Sequence, residues 1–144
     1  MKYKGFTLPE VLLSITLLSV ITGITVPAYR AFLLRNELDT STIALVHNLR
    51  RAQALARSSD GDMSWGVRVG VGSILVYKGI NYISRDSLFD ENTSIPTIIN
   101  PSGLQEVTFS KAKGIPNATG TFIFTSDTGE VRTILINEKG TIDY

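Results

Sequence analysis

Glu10 asks for a chemical explanation first, because the stretch that follows it, residues 11 to 29 (VLLSITLLSVITGITVPAY), carries no charge. A carboxylate at the edge of hydrocarbon is costly unless a cation pairs with it, so this glutamate calls for an amine or guanidinium nearby. A second group is basic. His47, Arg50 and Arg51 fall on overlapping faces of a helical pattern, Arg57 follows two turns on, and Lys111 and Lys113 add another basic spot. Such residues could contact phosphates or an acidic partner, which makes Arg50, Arg51 and Arg57 the candidate DNA or partner contacts.

Catalysis has little to draw on. The chain has no cysteine and one histidine, which excludes disulfides, thiolate zinc sites and a cysteine nucleophile and leaves any Ser-His-Asp relay dependent on His47 alone. Asp86, Asp90 and Glu91 are spaced like an exposed loop rather than a cation cage. Residues 70 to 75 (GVGSIL) begin like a dinucleotide loop, but Leu75 stands where the last glycine belongs and a strand follows. Asn92-Thr93-Ser94 and Asn117-Ala118-Thr119 fit a glycosylation sequon, a short and common pattern. No catalytic residue, cofactor or metal is expected. The formal charge of +1 falls to −1 without the first five residues, so nucleic-acid binding would need a local patch.

The elements that must position these residues begin with the uncharged run. About 20 apolar helical residues cross a bilayer, and Lys2 and Lys4 just before the run would hold the extreme N-terminus in the cytoplasm. A secretory signal cut after Val26-Pro27-Ala28 and a plain signal anchor both fit the apolar run. Neither explains Glu10.

A third reading does. Lys2-Tyr3-Lys4-Gly5, Phe6-Thr7-Leu8-Pro9-Glu10 and the uncharged run resemble the class III signal of type IV pilins and pseudopilins. The resemblance implies cleavage after Gly5 by a membrane prepilin peptidase and methylation of the new amine on Phe6. It also implies that Glu10, fifth after the cut, meets the N-terminal amine of a neighbouring subunit during assembly. Pro27 matches the proline common near the end of this segment. Pro9 departs from the family's usual Leu or Ile, but it falls in the first turn of the mature helix, where a missing N–H costs little.

Beyond Arg30 an apolar stripe of Leu34, Leu38, Thr42, Leu45, Leu49, Ala52 and Ala56 continues the helix, with Arg35, Asp39, Arg50 and Arg57 off the stripe. Ser58-Ser59-Asp60-Gly61-Asp62 ends it, and Pro27 should kink it. The remainder reads as strands: a hairpin from Trp65 to Lys78 turning at Gly72-Ser73, a long loop over 84–105 with one short strand near Ile98-Ile99, then a meander of Thr121–Thr125, Val131–Ile136 and Thr141–Tyr144. The expected organisation is a leader (1–5), a transmembrane or filament-core half-helix (6–29), an amphipathic half-helix (30–59) and a β-rich head (60–144). The fold class is α+β, a long N-terminal helix packed on an antiparallel β-sheet or β-sandwich head.

Leu49 to Arg57 (LRRAQALAR), the strand starting Trp65-Gly66-Val67-Arg68 and the closing FIFTSDTGEVRTILINEKGTIDY look like the GspH/FimT group of minor pilins and pseudopilins. That resemblance implies a structural subunit of a type II secretion pseudopilus or type IV pilus, with prepilin peptidase, other pilins and an inner-membrane assembly platform as partners. It implies a single-pass protein of the inner membrane whose head lies outside the cytoplasm before assembly. The alternatives are a DNA-binding minor pilin for natural transformation and a signal-anchored secreted β-domain.

Overall fold

The computed structural model describes residues 5–144, with the side chains at 26 and 27 outside the described residues. Lys2 and Lys4 also lie outside them, as does the bend expected at Pro27. Helix α1 runs Leu8–Arg57, and the chain divides after Arg35 into an N-terminal unit and a second unit, Asn36–Tyr144.

In the first unit, large apolar side chains from Phe6 to Ile24 stand in the open. In the second, the helix acquires a buried face. Leu38, Leu45, Leu49, Ala52 and Ala56 are fully buried and Thr42 is nearly so, as the three-and-four spacing predicts, while Asp39, Arg50 and Arg57 are exposed. Burying a leucine side chain of this kind stabilises by about 1.5–3 kcal/mol, so packing rather than intrinsic propensity holds this half of the helix. Past Arg57, Ser59 adopts a left-handed conformation (φ 55°) and a short 3₁₀ turn, Asp60–Asp62, follows. The Trp65 indole N–H donates to the Asp60 carbonyl at 3.0 Å, fastening that turn to the first strand.

Eight strands follow: β1 Trp65–Gly70, β2 Ser73–Lys78, β3 Asp86–Ser94, β4 Ile99–Gly103, β5 Glu106–Phe109, β6 Gly120–Ser126, β7 Val131–Ile136 and β8 Ile142–Asp143. They form two four-stranded antiparallel sheets, ordered β3-β2-β1-β5 and β4-β6-β7-β8. The chain trades sheets midway. After three strands of the first sheet it lays β4 in the second, returns to add β5 beside β1, and then completes the second sheet. Alternation sets the inner faces: Val67 and Val69, Ile74 and Val76, Phe122 and Phe124, and Ile134 and Ile136 join the helix stripe in one buried cluster.

The α+β pilin-like architecture is therefore the one observed. The hairpin and the meander lie where the alternation predicts them. The expected long loop over 84–105 is corrected: it contains the nine-residue strand β3 as well as β4. Its sequence, DSLFDENTS, is polar because β3 is a sheet edge paired only to β2, so most of its side chains meet solvent. β5 likewise lay outside the predicted strands, being four residues long and defined by its pairing to β1.

Side chains tie the second unit's helix to the strands. Buried Gln53 donates through Nε2 to the carbonyls of Gly114 and Gly140, each at 3.0 Å. Asn48 donates to Thr93 Oγ1 at 3.1 Å and Arg132 to Asp39 at 2.8 Å. Gly140 has φ +77° and the Gln53 amide lies where its Cβ would be, so this position is confined to glycine twice over.

Candidate functional site

The N-terminal segment is organised by Thr7. Gly5, Phe6 and Thr7 precede the helix in non-helical backbone, and Phe6 is 83% exposed. The Gly5–Phe6 peptide bond thus lies in an open, irregular stretch. The Thr7 carbonyl accepts from the N–H groups of Glu10 (3.1 Å) and Val11 (3.2 Å), which starts the helical ladder. Pro9, the second helical residue, has no N–H to leave unpaired.

Glu10 closes back on this turn. Its Oε2 accepts long contacts from the Thr7 N–H and hydroxyl, both at 3.4 Å, the reach-back half of a capping box. The Thr-x-x-Glu spacing was the available signal. This local role, and the part Thr7 plays in it, stand beside the intermolecular task expected of Glu10. At 3.4 Å these bonds are weak, so the carboxylate is held loosely and its exposed side chain can exchange this contact for a stronger cation.

The helix beyond Glu10 presents almost pure hydrocarbon. Its hydroxyls are turned inward onto the backbone: Ser14, Thr16, Ser19, Thr22 and Thr25 each donate to the carbonyl four residues back, at 2.6 to 2.8 Å. In lipid every polar group must find an internal partner, and these have one. The span meets the length and composition requirement for crossing a bilayer, and none of its most apolar window is buried.

The basic stretch is less free than its sequence suggests. His47, Arg50 and Arg51 do line one shallow depression, with Ala54, Leu55 and Ser58. Arg51, however, is clamped by Glu91 through Nε–Oε2 at 2.6 Å and Nη2–Oε1 at 2.7 Å. That hydrogen bond raises the Arg51 pKa and, foremost among its causes, lowers that of Glu91. Arg50 lies 5.7 Å from the ring centroid of Tyr144. Arg57 lays its stem against Gly114, away from the depression's lining. Lys111 pairs with Asp62. The acidic residues of 86–91 are also spent locally: Asp90 on Arg85, Glu91 on Arg51, and Asp86 on the Leu88 N–H. Among the described residues no group of three His, Asp or Glu could hold a metal.

A family model described as the prokaryotic N-terminal methylation motif matches residues 1–26. No curated protein and no solved structure matches the chain. The motif, the long helix and the antiparallel sheets support a type IV pilin-like protein. Such a signal implies processing by prepilin peptidase and assembly with other pilins, and the apolar helix is consistent with membrane anchoring.

Proposed function

We propose that this protein is a minor pilin or pseudopilin, a non-catalytic structural subunit of a type II secretion pseudopilus or type IV pilus and, by resemblance, of the GspH/FimT group. Prepilin peptidase cuts after Gly5, and Phe6 becomes the methylated N-terminus. The observation that carries this reading is a loosely held carboxylate, Glu10, at the head of an uncharged helical run, residues 11–29, whose large apolar side chains up to Ile24 stand exposed.

The work is mechanical. Lys2 and Lys4 stay in the cytoplasm, the assembly platform draws the helix from the bilayer, and its apolar residues exchange lipid for neighbouring helices. Glu10 fixes axial register by meeting a neighbour's Phe6 amine, since a carboxylate moved into an apolar lattice is stable only when paired. The head remains outside the cytoplasm. The DNA-binding alternative is weaker, because the Arg51 guanidinium is occupied by Glu91 and Arg57 leans on the Gly114 loop.

N-terminal sequencing with mass analysis tests the reading, on protein from membranes of cells with and without prepilin peptidase. A methylated Phe6 terminus that depends on the peptidase is expected. A chain beginning at Tyr29, or at Met1 in both strains, overturns it.

A further inference from the structure

The outward side of the first sheet carries an arrangement unconnected with the N-terminal helix. Gly66 leaves room for the Tyr77 ring to lie across β1. The Tyr77 hydroxyl donates to Glu106 Oε1 at 2.7 Å and shares a hydrogen with Thr108 at 2.8 Å. Glu106 Oε1 also accepts the Tyr82 backbone N–H at 2.8 Å, which draws the 79–85 loop over the sheet. Tyr82 then meets Tyr77 edge to face, with ring centroids 6.1 Å apart.

Two guanidiniums converge on that ring. Arg68 from β1 and Arg85 from the loop each place their central carbon 4.0 Å from the Tyr82 centroid. Beside them opens a cleft of about 380 Å³, lined by Arg68, Ser73, Leu75, Tyr82, Arg85 and Asn92 and floored in part by Gly70. Arg85 is anchored: its Nε binds Asp90 and its Nη1 the Tyr82 carbonyl. Arg68 is oriented by the ring and only loosely ion-paired: its Nη1 lies 3.8 Å from Glu106 Oε2, a salt bridge beyond hydrogen-bond distance, so no hydrogen bond among the described residues holds its fork. The Ser73 hydroxyl and the Asn92 amide line the same cleft.

We propose that this cleft binds a sugar bearing an oxyanion, a carboxylate or a phosphate. Arg68 exchanges its loose contact with Glu106 for the oxyanion, which it takes with its planar fork, while Arg85, already paired with Asp90, holds the Tyr82 platform in place and Ser73 and Asn92 take ring hydroxyls. A cleft lined by Arg68, Ser73, Arg85 and Asn92, with Leu75 its one aliphatic side chain, suits a hydroxylated ligand better than a lipid. Because the fork is already stacked on Tyr82, binding costs little side-chain ordering.

The test is a titration of the full chain in detergent micelles with glucuronate, glucose 6-phosphate and neutral glucose, followed by amide NMR shifts. Saturable shifts at Ser73, Tyr82 and Asn92 with one or both anionic sugars, absent with glucose, support the site, and the tighter anion identifies the oxyanion. Arg68→Gln should weaken binding at least tenfold while Lys139→Gln, at an exposed position outside the cleft, leaves it unchanged. No saturable shift with either anionic sugar, or equal binding by Arg68→Gln, overturns the proposal.

Discussion

Arg51 and Glu91, forty positions apart, meet as a two-point ion pair between helix α1 and edge strand β3, with contacts of 2.6 and 2.7 Å. β3 reaches the rest of its sheet through β2 alone, so this pair and the Asn48–Thr93 bond give the strand a second attachment. The pair is nearly half exposed, which limits its worth to a few tenths of a kcal/mol up to about 1 kcal/mol.

Its pH dependence has a definite sign. Arg51 lowers the Glu91 pKa in the folded chain, so the stabilisation is fully present above the unfolded value, about 4.3, and is lost as pH falls through the lower folded value. Glu91→Gln should therefore cost up to about 1 kcal/mol at pH 7 and almost nothing at pH 2.5. Urea unfolding at the two pH values checks this, and an equal cost at both refutes it.

Gln53→Leu should be more damaging. It removes a buried donor shared by the Gly114 and Gly140 carbonyls and leaves two acceptors facing an apolar side chain, at a cost of about 1–3 kcal/mol for each one stranded. Denaturant midpoints with an unchanged slope would report it. A loss below about 0.5 kcal/mol would mean that water replaces the amide.

Gly66→Ala places a methyl in the volume of the Tyr77 ring. Burial already pushes the Tyr77 phenol pKa above its usual range, and the ring is fully buried with its hydroxyl bonded to Glu106 and Thr108. Overpacking of this kind costs about 1–3 kcal/mol. The Tyr82 amide, which shares Glu106, should gain hydrogen-exchange rate in the same variant, and an unaltered rate would show that the ring shifts without disturbing the carboxylate.

Glu10→Gln and Glu10→Val separate capping from charge pairing. Glutamine keeps an acceptor for the Thr7 N–H but no charge. The proposed register role predicts that both variants are cleaved after Gly5 and that both fall in filament fractions by roughly tenfold or more, because a neighbour's amine would lose its partner. Normal assembly of the glutamine variant would assign Glu10 to the helix start alone.

Much of this was readable in local pattern. The Leu38 to Ala56 stripe is set by helical spacing, and Phe122, Phe124, Ile134 and Ile136 by strict alternation, so both appear within a short window. Glu10 stands out for the same reason, since a lone carboxylate before an uncharged run is a local anomaly, whereas Gly5 and Phe6 are singled out only by their resemblance to the pilin signal. β3 was hidden because an edge strand may carry DSLFDENTS without burying an apolar face. Arg51 looked free because its partner is forty residues away, and the Arg68, Tyr82 and Arg85 cluster has no linear signature: a strand and a polar loop meet only after folding.

The mid-chain trade of β4 and β5 between sheets bears on when the head can form. β4 has no strand to pair with until β6 exists, and β6 begins only at Gly120. A ribosome or translocon delivering the chain from its N-terminus therefore releases an unfinished second sheet for most of the transit. The first sheet can grow hairpin by hairpin through β1, β2 and β3, but the second closes late, so a stop codon before residue 120 leaves β4 unpaired and strips Phe122, Phe124, Ile134 and Ile136 from the core.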